Sequence, residues 1–261
     1  NTTVFSSTAT LQISQSPTVL ENRIERIIAD LSNAELAHQR LRRSRFNPKM
    51  NDNCSLETVL AGNSKLGFDY GEMEGWPIKH FVPQIVPLEL ILKKVREVPC
   101  KESFDENLKQ WPYVDIIYSL EYMKTFDFFS KLDGSDKRVV SRHAVLLCSL
   151  LTSSFFSYEN HSGVTVYPDG TISYGGTLDP DAPFEREMHT RIIEQIERLK
   201  MDRQEYVLLK ALAVYDSALE DLSSYSRETI TRERDKYGKA LLSYMLVRRG
   251  IPKVPIFHER C

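Results

Sequence analysis

Leu20, Ile24, Ile27 and Leu31 recur at helical spacing after Ser16-Pro17, a serine N-cap followed by proline at the first helical position. The pattern runs toward Phe46 and stops before Pro48, so one long amphipathic helix is expected there. Residues 1–19, rich in Ser and Thr at their start, read as a linker. Asn47 to Pro87 carries many Gly, Asn and Pro residues with little periodicity and reads as a long loop with short turns, while Val86 to Val98 predicts a helix stopped by Pro99.

The centre of the chain differs in kind. From Trp111 to Phe129 the residues are apolar nearly all round, with Val114, Ile116, Ile117, Tyr118, Leu120, Tyr122, Met123 and Phe126 broken only by Asp115, Glu121, Lys124 and Asp127. A helix that is apolar on every face is a buried helix. Asp133-Gly134-Ser135-Asp136 punctuates the run, with Asp136 as the expected cap, and Val139 to Phe156 is again apolar nearly all round. Two consecutive buried helices need helices on both sides, which predicts a layered all-α domain.

Val164 to Tyr167 and Thr171 to Tyr174 flank Pro168-Asp169-Gly170, which predicts one small β-hairpin: proline presets φ and glycine tolerates a positive φ. Phe184, Met188, Ile192, Ile196 and Leu199 then form a helical stripe, Tyr206 to Leu219 a more hydrophobic segment, and Ile230, Tyr237, Leu241 and Met245 a last stripe ended by Gly250 and Pro252.

Composition narrows the function classes. The chain has 261 residues, 41% apolar and 27% charged, with a formal net charge of -2, so no global basic field draws it to nucleic acid or an anionic membrane. The cysteines, Cys54, Cys100, Cys148 and Cys261, form no C-x-x-C pair, which argues against a zinc site. No uninterrupted apolar run reaches about 18 residues, so no membrane span is expected. The sequence contains no G-x-S-x-G, P-loop, G-x-G-x-x-G or H-E-x-x-H motif, and its histidines are scattered. His143 falls in a predicted buried helix and reads as a core residue. No catalysis and no cofactor are expected.

Ser119-Leu120-Glu121-Tyr122-Met123-Lys124-Thr125-Phe126-Asp127-Phe128-Phe129, continuing through Leu132 to Asp136-Lys137, resembles the signature joining helix 3 to helix 4 in nuclear receptor ligand-binding domains. That signature has an apolar helix ending in Lys, an aromatic-rich turn, a Leu, and an Asp-led pair opening a long apolar helix. The hairpin at Tyr167-Pro168-Asp169-Gly170 sits where the family has its only β-turn, and Glu205 to Tyr215 looks like helix 8. Leu41 to Pro48 and Phe155-Phe156-Ser157-Tyr158 are most similar to the supplementary nuclear receptors of nematodes. The resemblance implies an all-α, three-layer antiparallel helical sandwich over residues 20–250, comprising helices 1 to 9. Residues 251–261 would be an atypical tail in place of the family's last helices. It also implies a nuclear transcription factor that reaches DNA only through a zinc-finger domain absent from this chain.

The same resemblance assigns candidate residues. Lys124 aligns with the lysine that caps a coregulator LxxLL helix by bonding its last carbonyls, and a cation suits a helix C-terminus. Ile117 and Leu120 would line the apolar groove beside it. Arg138 stands where relatives usually carry an apolar groove residue, and Arg142, one turn on, would flank the groove. The pocket would be lined by Tyr113, Ile116, Leu120, Met123, Leu147, Leu151 and Phe155, and such an apolar lining suits a lipid-like ligand. Some family members hold a ligand carboxylate with an arginine at the end of helix 5, where this chain has Ser154-Phe155-Phe156. Arg40, Arg42, Arg43 and Arg45 read as a solvated helix end. Two functions therefore stand side by side: a ligand-regulated module that recruits coregulators, and a receptor core that binds partners without sensing ligand.

Overall fold

The computed structural model describes residues 17–49, 55–73, 109–171, 183–216 and 218–250. Eight α-helices lie in this described part: α1 (Pro17–Arg43), α2 (Leu56–Ala61), α3 (Trp111–Met123), α4 (Asp127–Lys131), α5 (Gly134–Glu159), α6 (Pro183–Leu199), α7 (Arg203–Val214) and α8 (Ser224–Arg248). A short 3-10 turn, Lys65–Gly67, follows α2. The helix expected at Val86 to Val98 and the tail 251–261 lie outside the described residues.

The helix boundaries follow from local chemistry. Proline occupies the first turn of α3, where its missing N–H is not needed. The N-cap of α7 is Asp202, locked in a capping box with Glu205. Lys200, at φ 49°, ends α6, and the Met201 N–H reaches back to the Ile196 carbonyl over 3.0 Å. The long helix expected from Trp111 to Phe129 is interrupted: α3 stops at Met123, Phe126 is extended, and α4 follows. The break turns three aromatic rings inward, with Phe126 edge-on to Tyr122 and Phe128 at 4.5 Å from Tyr215.

The cap before α5 is Asp133, whose carboxylate accepts the Asp136 N–H at 2.7 Å, rather than Asp136 as expected. Asp136 is turned to another use. Its buried carboxylate accepts the Ser223 N–H at 3.1 Å and the Ser223 and Ser226 hydroxyls at 2.6 and 2.5 Å. Asp136 thereby clamps the first turn of α8 to the start of α5.

α5 is the central helix. It packs on α3 and α2 on one side and on α6 and α7 on the other, and α7 in turn lies between α1 and α8. This is the expected layered helical sandwich. Val140, Ala144, Cys148, Leu151 and Phe155 form its buried apolar stripe at helical spacing. Among its other buried positions, Thr152 and Ser157 bond back into the helix, to the Cys148 carbonyl at 2.7 Å and the Ser153 carbonyl at 2.7 Å. By length and composition alone α5 could cross a membrane, but most of its apolar stretch is buried in the fold, as befits a core helix.

Of the expected hairpin, the turn is formed. The Gly170 N–H bonds the Tyr167 carbonyl at 2.8 Å, the Tyr167 N–H bonds the Thr171 carbonyl at 2.9 Å, and Gly170 takes φ 86°. The second arm lies mostly outside the described residues, and no sheet is present among those described.

The Asp136 clamp predicts that Asp136→Ala destabilises the domain by about 2 kcal/mol, since it leaves buried donors of α8 unsatisfied. Urea denaturation of the two proteins, followed by circular dichroism, measures the loss.

Candidate functional site

Lys124 sits one residue past the end of α3, and its side chain is only 6% exposed. Its ammonium donates to the carbonyls of Val59 at 2.8 Å, Gly62 at 3.2 Å and Asn63 at 3.3 Å, and to the Glu121 carboxylate at 2.9 Å. The carbonyls belong to the end of α2 and the residues just after it. The lysine therefore caps the C-terminus of a short helix, as a cation at the negative end of a helix dipole should. Glu121 fixes it: one oxygen holds Lys124, while the other accepts the Lys65 N–H at 2.6 Å. The Ser64 hydroxyl adds a bond to the Glu121 carbonyl at 2.8 Å.

The apolar side of α2 is Leu56, Val59 and Leu60, spaced i, i+3, i+4. Leu60 is buried, and all three belong to the same hydrophobic cluster as Ile117 and Leu120 of α3. Arg138, on the first turns of α5, lies 3.6 Å from Glu57 of α2, with both side chains about half exposed. Arg142 is exposed on the same helix. The fold thus brings Lys124, Ile117, Leu120 and Arg138 together around α2. Sequence reading passed α2 over because its Gly- and Asn-rich surroundings hide a helix of less than two turns; the signal was Leu56-Glu57-Thr58-Val59-Leu60 behind the N-cap Ser55.

The predicted pocket residues divide. Leu120, Met123, Leu151 and Phe155 are buried in the main core, where Phe155 stacks on Tyr206 with ring centres 3.9 Å apart. Tyr113 is half-buried and its hydroxyl donates to the Lys49 carbonyl at 3.3 Å, and Ile116 is half-buried as well. Leu147 is 44% exposed, one turn from the buried Ala144–Cys148 stripe. A cleft of about 170 Å³ opens between α1, α5 and α7, lined by Glu35, Gln39, Arg43, Phe155, Glu159 and Arg203 among others. Of the predicted lining residues, Phe155 alone borders it. His143, expected in the core, is exposed.

Sequence reading also missed a buried polar network. Glu35, on α1, accepts the Lys210 ammonium at 2.6 Å, the Tyr206 hydroxyl at 3.1 Å and the Gln39 amide at 2.7 Å. Lys210 also bonds the His38 Nδ1 at 2.8 Å. Burial, reinforced by the Lys210 and Arg42 charges, holds the His38 pKa well below the usual imidazole range, so the ring is neutral with its proton on Nε2. Four residues on, Arg42 is not part of a solvated helix end. It is fully buried and paired through two bonds, 2.9 and 3.0 Å, with Asp115. Its guanidinium lies 5.6 Å from the Trp111 ring centre and 5.4 Å from that of Phe156. Arg40, Arg43 and Arg45 are exposed, as expected of a helix end. Lys109 donates to the Arg42 carbonyl at 2.8 Å, and burial beside Arg42 lowers its pKa to about 7.

A layered all-α fold of this kind is the architecture of a nuclear receptor ligand-binding domain. The family described as the ligand-binding domain of nuclear hormone receptor matches residues 106–255, and the chain belongs to the nuclear hormone receptors. It is 31% identical over 249 residues to nuclear hormone receptor family member nhr-60 of Caenorhabditis elegans, covering 92% of this chain and 53% of that protein. It is 31% identical over 242 residues to family member nhr-154 of the same organism, covering 88% of this chain and 46% of that protein. The chain spans about half the length of the curated relatives it matches.

The His38 geometry generates a pH prediction. The unfolded chain binds a proton near pH 6.5 that the folded chain refuses, so stability is lost as pH falls below that value, with a slope of up to about 1.4 kcal/mol per pH unit. His38→Gln, which keeps an acceptor for Lys210, is expected to flatten the slope between about pH 5 and 6.5. Urea midpoints across that range test it, and equal slopes in the two proteins would refute the assignment.

Proposed function

We propose that this chain is the regulatory domain of a nuclear transcription factor that recruits coregulators through the groove bounded by Lys124, Ile117, Leu120, Arg138 and Arg142, under control of a lipid-like ligand. The observation that carries the reading is the Lys124 cap. A nearly buried ammonium binding the final carbonyls of a short helix, beside an apolar surface, is what helix-in-groove recognition of a Leu-x-x-Leu-Leu partner requires. In this reading a ligand acts by shifting the population of the docked state. The chain works without catalysis, and DNA is reached through a separate zinc-finger domain of the same receptor.

One observation favours a second reading, a ligand-independent interaction module. Leu120, Met123 and Leu151 pack into the core rather than around a described cavity, and Phe155 borders only the cleft between α1, α5 and α7. The two readings share the coregulator groove and differ only in the ligand.

Two measurements test this. Fused to a heterologous DNA-binding domain, the chain is expected to change reporter output several-fold, in either direction. No change at equal expression would count against coregulator recruitment. Native mass spectrometry of the purified protein separates the readings: a lipid-sized adduct on a folded charge envelope supports ligand sensing, and a folded species without one supports the interaction module.

A further inference from the structure

We infer that α2 is a built-in occupant of the coregulator groove, a tethered helix that a partner must displace before it can dock. The inference rests on the coregulator reading above and adds a gate to it. α2 has the form of the partner that groove would take. Leu56, Val59 and Leu60 reproduce the i, i+3, i+4 spacing of a Leu-x-x-Leu-Leu helix, with valine in the fourth place. They share a cluster with Ile117 and Leu120.

Polar contacts hold the helix at both ends. At its C-terminus, the carbonyls of Val59, Gly62 and Asn63 take the Lys124 ammonium, whose remaining contact is Glu121. An ammonium has three protons, and four acceptors already surround this one, so it has nothing left for an incoming helix. Toward its N-terminus, Glu57 faces Arg138 at 3.6 Å. The partner of this arginine is thus a side chain of the chain's own helix. Beyond α2, Ser64 and Lys65 anchor the chain to Glu121, and the Arg45 and Met73 N–H groups bond the Gly71 and Arg43 carbonyls at 2.9 and 3.2 Å. The segment is therefore tied back to the end of α1 and held close to its seat.

A tether of this length presents α2 at an effective concentration on the order of millimolar, so a free helix of similar intrinsic affinity competes poorly at micromolar levels. The observed affinity for a partner is reduced by the fraction of molecules whose groove is open. Lys124 holds both competitors, so replacing it alone weakens both and moves the observed affinity little.

The test uses fluorescence polarisation with a short fluorescein-labelled peptide bearing a Leu-x-x-Leu-Leu core. The wild-type chain is expected to bind it weakly. Leu56→Ala/Val59→Ala/Leu60→Ala should bind about ten-fold more tightly, and adding Lys124→Ala to that variant should abolish the gain. Should the triple variant fail to fold, Glu57→Arg serves instead. It changes an exposed position on α2, sets like charges together at Arg138, and should tighten binding about two-fold. A folded variant that binds the probe no better than wild type, with wild-type binding readily measured, overturns the gate and leaves the coregulator groove standing. A folded triple variant that ignores the probe yet binds a labelled peptide of residues 55–63 in a Lys124-dependent way overturns both, since the seat then belongs to α2 alone.

Discussion

α1 carries charge into the core, and the remainder of the packing has to answer it. Glu35, His38 and Arg42 lie on one face of that helix, at intervals of three and four residues, and each is at most 5% exposed. A buried charge without a partner costs several kcal/mol, more than most single contacts in a domain supply. Lys210 of α7 and Asp115 of α3 provide the partners. Neither pair need add net stability over an apolar substitute, because desolvation offsets much of the attraction. What the pairs impose is register. If α1 slides by one turn against α3 or α7, two charges are left unpaired in the core. The aromatic faces of Trp111, Phe156 and Tyr122 complete the enclosure, the last with the Lys210 ammonium 4.1 Å from its ring centre.

The parts of this arrangement that were legible in the sequence are those set by periodicity and by local punctuation. The all-round apolar runs identified α3 and α5 as central, and Pro168-Asp169-Gly170 identified a turn that forms. The Lys124 position followed from the resemblance of the segment around it. What was not legible depended on long-range pairing. Arg42 looks like its exposed neighbours Arg40 and Arg43, and only Asp115, 73 residues away, makes it a core residue. Asp136 looks like the cap of its own helix and instead serves the Ser223 turn, while Asp133 takes the local role. Leu147 and Leu151 lie one turn apart on nearly the same face of α5, yet Leu147 is 44% exposed and Leu151 is buried, because the neighbouring helices cover the second and not the first. Apolar runs state that a helix is central without stating which of its faces is covered.

α3 joins the charged core to the Lys124 cap. Asp115 and Glu121 are six residues apart on it, a rise of about 9 Å. At one end Asp115 is pinned by Arg42, and at the other Glu121 positions Lys124 and the Lys65 N–H. A free lysine side chain carries rotamer entropy worth about 2 kcal/mol, which a clamp must give up when it binds. Here Glu121 and the Val59, Gly62 and Asn63 carbonyls together confine the ammonium, so that entropy is given up within the fold itself. The same contacts raise the demand on an incoming partner. The helix it would replace is attached to the protein and satisfies an ammonium that is 6% exposed. Removing that helix would exchange three carbonyl bonds of the ammonium for water, with Glu121 as the contact that stays. A partner in the proposed groove would therefore have to match those carbonyls, and its advantage over α2 would come from the apolar face, where leucine in place of Val59 adds one methylene of buried surface, about 0.8 kcal/mol.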